Sequence, residues 1–400
     1  MQMNIEWKIP MNSFKVPRIR FKRFDSVWVE NRIADIVKIS AGGDVDKVKL
    51  KESGKYPVIA NSLTNKGIVG FYDDYKVKAP AVTVTGRGDV GYAVARHENF
   101  TPVVRLLTLQ SDNIDVDYLE NQINSMRILN ESTGVPQLTA PQLGNYKVYH
   151  PEIDEQSAIG SLFRILDDLL ASYKDNLASY QSLKATMLSK MFPRAGQTVP
   201  EIRLDGFEGE WEELQLSDIC QKVTEKNKDN KFNETFTNSA EFGIINQRDF
   251  FEKDISNEKS LNTYYVVRNN DFVYNPRISN YAPVGPIKRN KLGRTGVMSP
   301  LYFVFRIINS NIDLNFLETF FDTNTWHKFM KLNGDSGARA DRFAIKDSVF
   351  LTMPIAFPSL PEQQAIGTYF SNLDNLITAH QEKISQLETL KKKLLQDMFI

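Results

Sequence analysis

Two long stretches of the chain carry apolar side chains at the spacing of a coiled-coil helix. In the first stretch, one set recurs every seven residues: Ile159, Leu166, Tyr173, Tyr180 and Met187, with Leu162, Leu169 and Leu183 at the partner positions. In the second stretch, the corresponding sets are Ile366, Leu373, His380, Leu387 and Leu394, with Tyr369, Leu376 and Leu390 as partners. These heptads predict two helices, each about 50 Å long, whose apolar seams are most economically buried against each other.

The two helical stretches are copies of one another. Residues 151–192 realign without a gap on residues 358–399 at an offset of 207, and 15 of the 42 pairs are identical. A second repeat, at an offset of 183, begins with Pro17-Arg18-Ile19-Arg20 and recurs at Pro200-Glu201-Ile202-Arg203. The second copy is therefore longer by 24 residues, all between its two repeated blocks. This layout indicates a shared frame that carries two different recognition domains.

The segments between the repeats alternate strand-like and helical patterns. Strand-like runs occur at residues 81–85 and 103–107 in the first copy, and at 271–274 and 301–305 in the second. The pattern predicts an α/β (α+β) fold: two globular domains joined and separated by two long helices, with a pseudo-two-fold internal repeat. The predicted ranges are an N-terminal extension at 1–16, domains at 17–150 and 196–357, and helical spacers at 151–195 and 358–400.

Composition narrows the possible functions. The single cysteine, Cys220, excludes an intrachain disulfide and a thiolate metal cluster, and the four histidines lack ligand spacing, so no metal site is expected. The single cysteine also favours a reducing, cytoplasmic location. No apolar run approaches the length of a membrane span, so no membrane partner is expected. The net charge is zero, but residues 264–307 carry seven Arg or Lys against one acid. A polyanion responds to such a local basic face rather than to the average.

Known catalytic motifs are not found. Residues 86–91, GRGDVG, match G-x-G-x-x-G, but the following residues look like a strand rather than the helix that a dinucleotide site requires. A tight hairpin with Arg87 at its tip is predicted instead. Asn275-Pro276-Arg277-Ile278 lacks the second proline and the aromatic residue of amino methyltransferases. The sequence therefore predicts no catalytic residue and no cofactor in this chain.

Polar and basic loops occur at matching places in the two copies. Arg, Asn and Gln side chains can read base edges, whereas Lys, Ser and Thr hold phosphates. The candidate DNA-binding residues are Thr64, Asn65, Lys66, Thr85, Arg87 and Gln137 in the first copy, and Gln247, Arg248, Asn275, Arg277, Ser279, Asn280, Tyr281, Arg339 and Arg342 in the second. For any one of them, an ordinary solvated loop is an equally good interpretation, so the hypothesis depends on the recurrence of such loops in both copies.

The chain resembles the specificity subunit of a type I restriction-modification enzyme over residues 17–400. The resemblance is carried by the repeated Pro-x-Ile-Arg with its following Phe and Trp, by Gly134-Val135-Pro136-Gln137-Leu138, and by Pro361-Glu362-Gln363-Gln364-Ala365-Ile366. It implies two target-recognition domains that each bind half of a split DNA site, and an antiparallel coiled coil that sets the gap. One departure is Ser-Gly-Ala-Arg-Ala at 336–340 in place of Thr-Gly-Val-Pro-Gln at 133–137.

The resemblance also implies partners and a prokaryotic, cytoplasmic setting. These partners are double-stranded DNA, two modification subunits that methylate adenine with S-adenosylmethionine, and restriction subunits that use ATP and magnesium. The chain itself would be a non-catalytic part of that multisubunit adenine-N6 methyltransferase and endonuclease. A coiled-coil scaffold that joins two protein-binding domains without a role on DNA is the alternative, slightly favoured by the zero net charge. A self-sufficient methyltransferase is disfavoured by the missing cofactor loop.

Overall fold

The computed structural model describes residues 7–8, 16–126, 128, 137–250, 258–335 and 341–399. The chain divides into two units. Unit 1 consists of residues Met1–Asp175 together with His380–Ile400, and unit 2 consists of Asn176–Ala379. Both crossings between the units therefore fall inside the two stretches that the heptads predict to be helical.

Unit 1 begins with short strands and three short helices. The strands are β1 (Trp7–Lys8), β2 (Arg20–Phe21), β3 (Val29–Arg32), β4 (Lys38–Ala41), β5 (Tyr56–Ile59), β6 (Ile68–Tyr72), β7 (Ala81–Val84), β8 (Ala93–Arg96), β9 (Thr101–Pro102), β10 (Leu107–Gln110) and β11 (Lys147–His150). The helices are α1 (Ile33–Ile36), α2 (Val116–Ser125) and α3 (Ala140–Gly144), and a 3₁₀ turn spans Thr64–Gly67. The strand β1 lies in the predicted N-terminal extension and pairs with β2.

The core of unit 1 is a four-stranded antiparallel sheet in the order β4-β10-β7-β8. Every residue of β7 is buried, as expected for a central strand with both faces covered. Helix α2 packs on β7 and β8. A second sheet has the order β6-β5-β9, and β11 pairs with β3.

The first long helix, α4, spans Ile153–Lys190 and is followed by the elements of unit 2. The strands are β12 (Glu212–Gln215), β13 (Cys220–Lys222), β14 (Phe236–Ser239), β15 (Gly243–Asn246), β16 (Tyr265–Val267), β17 (Phe272–Tyr274), β18 (Ile287–Arg289), β19 (Gly296–Met298), β20 (Phe303–Ile307) and β21 (Pro354–Phe357). The helices are α5 (Leu216–Ile219), α6 (Gln247–Phe250), α7 (Leu314–Asp322), α8 (His327–Asn333), α9 (Asp347–Phe350) and the second long helix, α10 (Leu360–Asp397). A 3₁₀ helix spans Glu258–Thr263.

Unit 2 repeats the plan of unit 1. Its four-stranded sheet has the order β13-β20-β17-β18, which matches β4-β10-β7-β8 strand for strand. The pair β12-β21 corresponds to the pair β3-β11. Helix α7 corresponds to α2, and each begins at an aspartate cap: Asp115 accepts a hydrogen bond from the Tyr118 amide, and Asp313 accepts one from the Phe316 amide. The predicted α/β fold with an internal repeat is confirmed.

The two long helices pair antiparallel within each unit. In unit 1, Lys391 pairs with Asp167 and Lys174 pairs with Glu388; in unit 2, Lys184 pairs with Asp374. Residue numbers rise along one helix as they fall along the other, so the helices run in opposite directions. The first heptad set lies inside this pairing, because Ile159, Leu166, Ile366, Leu373, Leu387 and Leu394 are all buried. Tyr173 contacts the His380 ring, and Tyr180 packs against the core of unit 2.

The predicted partner set of the heptads requires a correction. Leu169, Leu183, Leu376 and Leu390 each keep more than a third of their surface exposed. In α4 the buried residues lie one position after the predicted Leu162 and Leu169, at Phe163 and Leu170. In α10, Phe370 is buried one position after the predicted Tyr369. The reason is that the start of each helix packs on a globular core as well as on the other helix, which moves the buried face. Phe163 lies in one apolar cluster with Trp28 and Tyr118 of the globular part of unit 1, and Phe370 lies in one with Trp211 and Phe316 of unit 2.

Candidate nucleic-acid interface

Three loops of unit 1 are held together at one end of the main sheet. The side chain of Asn61 accepts a hydrogen bond from the Gly86 amide at 2.8 Å and donates one to the Val104 carbonyl at 3.0 Å. Asn61 precedes the Thr64–Gly67 turn, and Gly86 opens the hairpin between β7 and β8. One amide side chain thus fixes the loop before the turn, the hairpin and the loop before β10 relative to each other.

The hairpin also pairs with the segment that precedes α3. Arg87 forms a β-bridge with Gln137, and the Leu138 amide donates to the Gly86 carbonyl at 2.9 Å. Both Arg87 and Gln137 are exposed, whereas Leu138 is buried beneath them. The fold therefore presents an arginine and a glutamine side by side to solvent, a pair of side chains suited to reading base edges.

The remaining candidates of unit 1 divide into exposed and buried residues. Thr64, Asn65 and Lys66 are exposed on the 3₁₀ turn. Thr85 is buried; its hydroxyl donates to the Asp89 carbonyl and accepts from the Tyr92 amide at 2.9 Å. The hydroxyl of Thr85 is thus engaged in hydrogen bonds within the hairpin. The sequence pattern did not show that Thr85 is buried.

Unit 2 contains the same bridge between different side chains. Arg277, just after β17, forms a β-bridge with Arg342, and the Phe343 amide donates to the Pro276 carbonyl at 2.7 Å. Both arginines are exposed, and Phe343 is buried, as Leu138 is in unit 1. Arg277 therefore stands where unit 1 has Arg87, and Arg342 stands where it has Gln137. The apolar residue after each bridge, Leu138 or Phe343, is the sequence signal for this alignment. The sequence alignment of residues 133–137 with 336–340 pairs Gln137 with Ala340. The structural counterpart of Gln137 is Arg342, two residues later.

An open groove of about 600 Å³ in unit 2 gathers most of the remaining candidates. Its lining includes Gln247, Asn275, Arg277, Ser279, Tyr281 and Arg342. Tyr281 is 80% exposed, so its ring is available to a ligand in the groove. Asn275 is held in place: its side chain donates to the Asn238 carbonyl at 2.8 Å and accepts from the Arg277 amide at 3.0 Å.

Three other candidates lie outside the groove lining. Arg248 is exposed on α6, next to Gln247, and its amide donates to the side chain of Asn246 at 2.9 Å. Asn280 is exposed between Ser279 and Tyr281. Arg339 lies outside the described residues.

A buried joint in each unit was not found by sequence reasoning. In unit 1, the Arg20 guanidinium donates two hydrogen bonds of 2.6 Å to the Glu155 carboxylate. In unit 2, Arg203 makes the same two bonds, each 2.7 Å, to Glu362. Both carboxylates are 1% exposed. The arginine of each Pro-x-Ile-Arg block is thus tied to the first turn of a long helix, which connects the two repeated blocks of the sequence.

The start of each long helix is also hydrogen-bonded to the start of α2 in unit 1 and of α7 in unit 2. The Gln156 side chain accepts from the Asp115 amide at 3.0 Å, and the Gln363 side chain accepts from the Asp313 amide at 2.9 Å. These aspartates cap α2 and α7. The Glu-Gln pair at the start of each long helix therefore sets the position of the globular core of its own unit.

The described residues contain no group of His, Cys, Asp and Glu side chains that could hold a metal ion. Burial raises the pKa of the Cys220 thiol to about 12, so this residue stays protonated and unreactive near neutral pH. Within the described part of the chain, no helix is both long and apolar enough to span a bilayer.

Comparison with known proteins agrees with this arrangement. Residues 25–178 and 208–389 match the model of the type I restriction modification DNA specificity domain. A putative type I specificity subunit of Mycoplasma pneumoniae is 26% identical over 135 residues, which cover 32% of this chain and 37% of that protein. The MjaVIII type I restriction enzyme specificity subunit of Methanocaldococcus jannaschii is 23% identical over 92% of this chain and 91% of its own length.

A solved structure shares the fold. The crystal structure of the type I restriction-modification system S subunit from M. genitalium superposes with a TM-score of 0.65 at 14% identity, covering 96% of this chain and 99% of that one. The family model matches most of the chain and falls in both copies of the repeat. The chain therefore belongs to the type I restriction-modification DNA specificity family.

Proposed function

We propose that each unit reads one half of a bipartite, gapped DNA site through its own loop cluster. The loop cluster of unit 1 comprises the loops around Arg87 and Gln137, and that of unit 2 comprises the loops around Arg277 and Arg342. The family assigns the chain to DNA sequence recognition in a type I restriction-modification system, a role without catalysis. The observation that carries the proposal is the repeated bridge, which presents Arg87 with Gln137 in unit 1 and Arg277 with Arg342 in unit 2. One frame with different exposed side chains is what two different half-sites require.

The side chains at the bridges suit direct readout of bases. Arginine can donate two hydrogen bonds to the O6 and N7 atoms of guanine, and glutamine can pair with the N6 and N7 atoms of adenine. Lys66 and Ser279 suit contacts with phosphates, which position a protein without reading sequence. The two arginines of unit 2, against one arginine and one glutamine in unit 1, give the units different preferences.

The test compares two single substitutions in the full chain, assembled with its methyltransferase and presented with a library of random duplexes. Arg87→Ala is expected to relax one position in one half-site, and Arg277→Ala one position in the other. Each loss should be about 1–3 kcal/mol at the position that the arginine reads. The gap should stay the same in both variants.

Matched controls are exposed arginines outside the loop clusters. Arg32 is paired with Asp35 and Arg268 with Glu225, and Arg32→Ala and Arg268→Ala should leave both half-sites unchanged. An equal loss on all sequences after Arg87→Ala would mark a phosphate contact instead. Loss of both half-sites from a single substitution would contradict the assignment of one half to each unit.

The partners follow from the family and are also part of the proposal. Two modification subunits, which methylate adenine with S-adenosylmethionine, would dock on the repeated helices. Restriction subunits that use ATP and magnesium would join them in the prokaryotic cytoplasm. The part-exposed Leu169 and Leu390 in unit 1, and Leu183 in unit 2, support a docking role for the helices. The alternative, a coiled-coil scaffold without DNA binding, is not favoured by the family assignment.

A further inference from the structure

Arg96 is a buried arginine that supports an exposed turn. It ends β8, opposite Ala81 of the central strand β7, and is 8% exposed. Its Nε donates to the Thr83 hydroxyl at 2.9 Å, and its Nη2 donates to the Lys66 carbonyl at 2.7 Å. A buried guanidinium is costly unless its donors are satisfied, so the bond to Lys66 ties the turn to the sheet.

The turn that receives this bond has an unfavourable backbone conformation. Asn65 and Lys66 have φ angles of 48° and 50°, and Gly67 follows with 82°. Left-handed conformations of residues other than glycine persist when surrounding structure enforces them. The bond from Arg96 is such a restraint. In the described part of the chain, no hydrogen bond involves the side chain of Asn65 or Lys66, and both side chains are exposed.

The buried arginine of the corresponding strand in unit 2 lies one position away and has a different role. The bridges align Arg277 with Arg87, so Phe272 corresponds to Val82, and Arg289, opposite Phe272, corresponds to Ala95 rather than to Arg96. Successive residues of a strand face opposite sides of a sheet. Arg289 lies on the side of α7, where its Nη2 donates to the Asn315 side chain at 2.6 Å and pairs with Glu318 at 2.8 Å. Arg96 belongs to the other side, from which it reaches the surface turn.

The carboxylate of unit 1 that corresponds to Glu318 does not pair with Arg96. Glu120 occupies on α2 the place that Glu318 occupies on α7, counted from the capping aspartates Asp115 and Asp313. The residue at the position of Arg289 is Ala95, and among the described residues no ion pair joins Arg96 to Glu120. The hydrogen bonds of Arg96 go to the sheet and to the turn instead. These contacts indicate that Arg96 holds the turn.

We propose that Arg96 is a positioning residue for sequence recognition by unit 1, holding the Asn65–Lys66 turn so that these two side chains meet the DNA half-site. The inference depends on the proposed function of the loop clusters and adds to it a residue that does not touch DNA. The half-site concerned is the one that Arg87→Ala alters. Unit 2 has Asn290 at the position of Arg96, and the side chain of Asn290 donates to the Arg268 and Arg294 carbonyls at 3.0 Å.

The test uses the full chain, assembled with its methyltransferase, and selection from random duplexes. Arg96→Met is expected to relax at least one position of the half-site of unit 1 by roughly tenfold, with the other half-site and the gap unchanged. Arg96→Lys should keep part of the preference, because an ammonium group can still donate to the Lys66 carbonyl. The position that Arg96→Lys relaxes should be one that Asn65→Ala or Lys66→Ala also relaxes.

Arg289→Met is the matched control. It should lower the melting temperature of the protein and leave the selected sequence unchanged in both half-sites. A merely structural Arg96 would behave in the same way, and that result for Arg96→Met would overturn the inference. If Arg96→Met does not fold, Arg96→Lys decides: relaxation of no position, or of positions untouched by Asn65→Ala and Lys66→Ala, would overturn it. Failure of the unsubstituted protein to select a bipartite site would instead overturn the proposed function, and the inference with it.

Discussion

At the scale of single residues, the buried Arg20–Glu155 pair ties the start of the unit 1 sequence to its long helix. Glu155 is 1% exposed, and Arg20 is 4% exposed and makes both short bonds to it. Removing one member of a buried pair leaves an uncompensated charge, which costs more than the pair contributes in net terms. The same reasoning applies to Arg203 and Glu362 in unit 2.

Glu155→Gln is therefore expected to lower the free energy of unfolding of unit 1 by about 3–5 kcal/mol, measured by urea unfolding of the full chain. Glu152→Gln, one turn earlier on the exposed surface, is the control and should change it by less than about 0.5 kcal/mol. Equal small effects from the two substitutions would show that the pair does not stabilise the unit.

A second residue-scale prediction concerns pH. Burial, together with the nearby Asp167 and Asp117, raises the pKa of Glu120 to about 7, although Lys391 and a hydrogen bond from the Ala95 backbone act in the opposite direction. A carboxyl with a raised pKa in the folded state favours folding while it is protonated. Its contribution is present below its ordinary pKa and is lost as the pH rises through about 7.

Glu120→Gln should therefore stabilise the protein at pH 8 by about 1–2 kcal/mol, with little change at pH 5, in urea unfolding at the two pH values. The matched control is Glu318→Gln in unit 2. Glu318 is paired with Arg289 and Lys291, so its replacement should destabilise the protein at pH 8. A stabilisation from Glu120→Gln that is equal at both pH values would contradict the assigned pKa.

The sequence predicted exposed loop residues better than buried contacts. Arg87, Gln137 and Arg277 are exposed, as expected for polar residues of glycine- or proline-containing loops, and their contact with DNA stays a prediction. The Arg20–Glu155 pair was missed because its members are 135 residues apart, and a repeat does not say which repeated block contacts which. The hydrogen bond from Arg96 to the Lys66 carbonyl could not be predicted either, since a strand pattern does not say which loop lies beside the end of the strand.

At the scale of elements, the long helices are the parts that the sequence predicted best. A heptad pattern repeated over five positions specifies a helix and its buried face almost without tertiary information. The exception is the second line of the seam: in α4 the buried residues are Phe163 and Leu170, whereas Leu162 is only partly buried and Leu169 is exposed. The first turns of each long helix pack against the globular part of their unit as well as against the other helix. A heptad pattern carries no information about that additional contact.

The helices also give a prediction for the gap between half-sites. The chain passes from one unit to the other between Asp175 and Asn176 in α4, and between Ala379 and His380 in α10. Inserting one heptad at each of these points keeps the seam in register and adds about 10 Å of helix. The preferred gap should lengthen by roughly 3 base pairs at about 3.4 Å each, measured by selection from duplexes of varied spacing.

The control for this experiment is an insertion of four residues at each point, which changes the register of the seam. It should weaken selection of the bipartite site rather than yield a new defined gap. A preferred gap that stays the same after the heptad insertions would contradict the idea that the helices set the spacing.

At the scale of the whole molecule, the repeat separates what is shared from what differs. The sheet order, the capped helix, the buried Arg-Glu-Gln joint and the bridge after the central strand recur in both units. The exposed side chains at the bridges and the hydrogen bond from Arg96 to the Asn65–Lys66 turn do not recur. Recognition is therefore assigned to the parts of each unit that differ, held by a frame that is the same in both.

The most direct test of this account is the sequence that the unsubstituted protein selects. The full chain, assembled with its methyltransferase, is presented with random duplexes, and the bound molecules are sequenced. The account predicts two short specified segments with an unspecified gap of constant length, of which Arg87→Ala alters only one segment. A single continuous site, or one altered in both segments by that substitution, would contradict it.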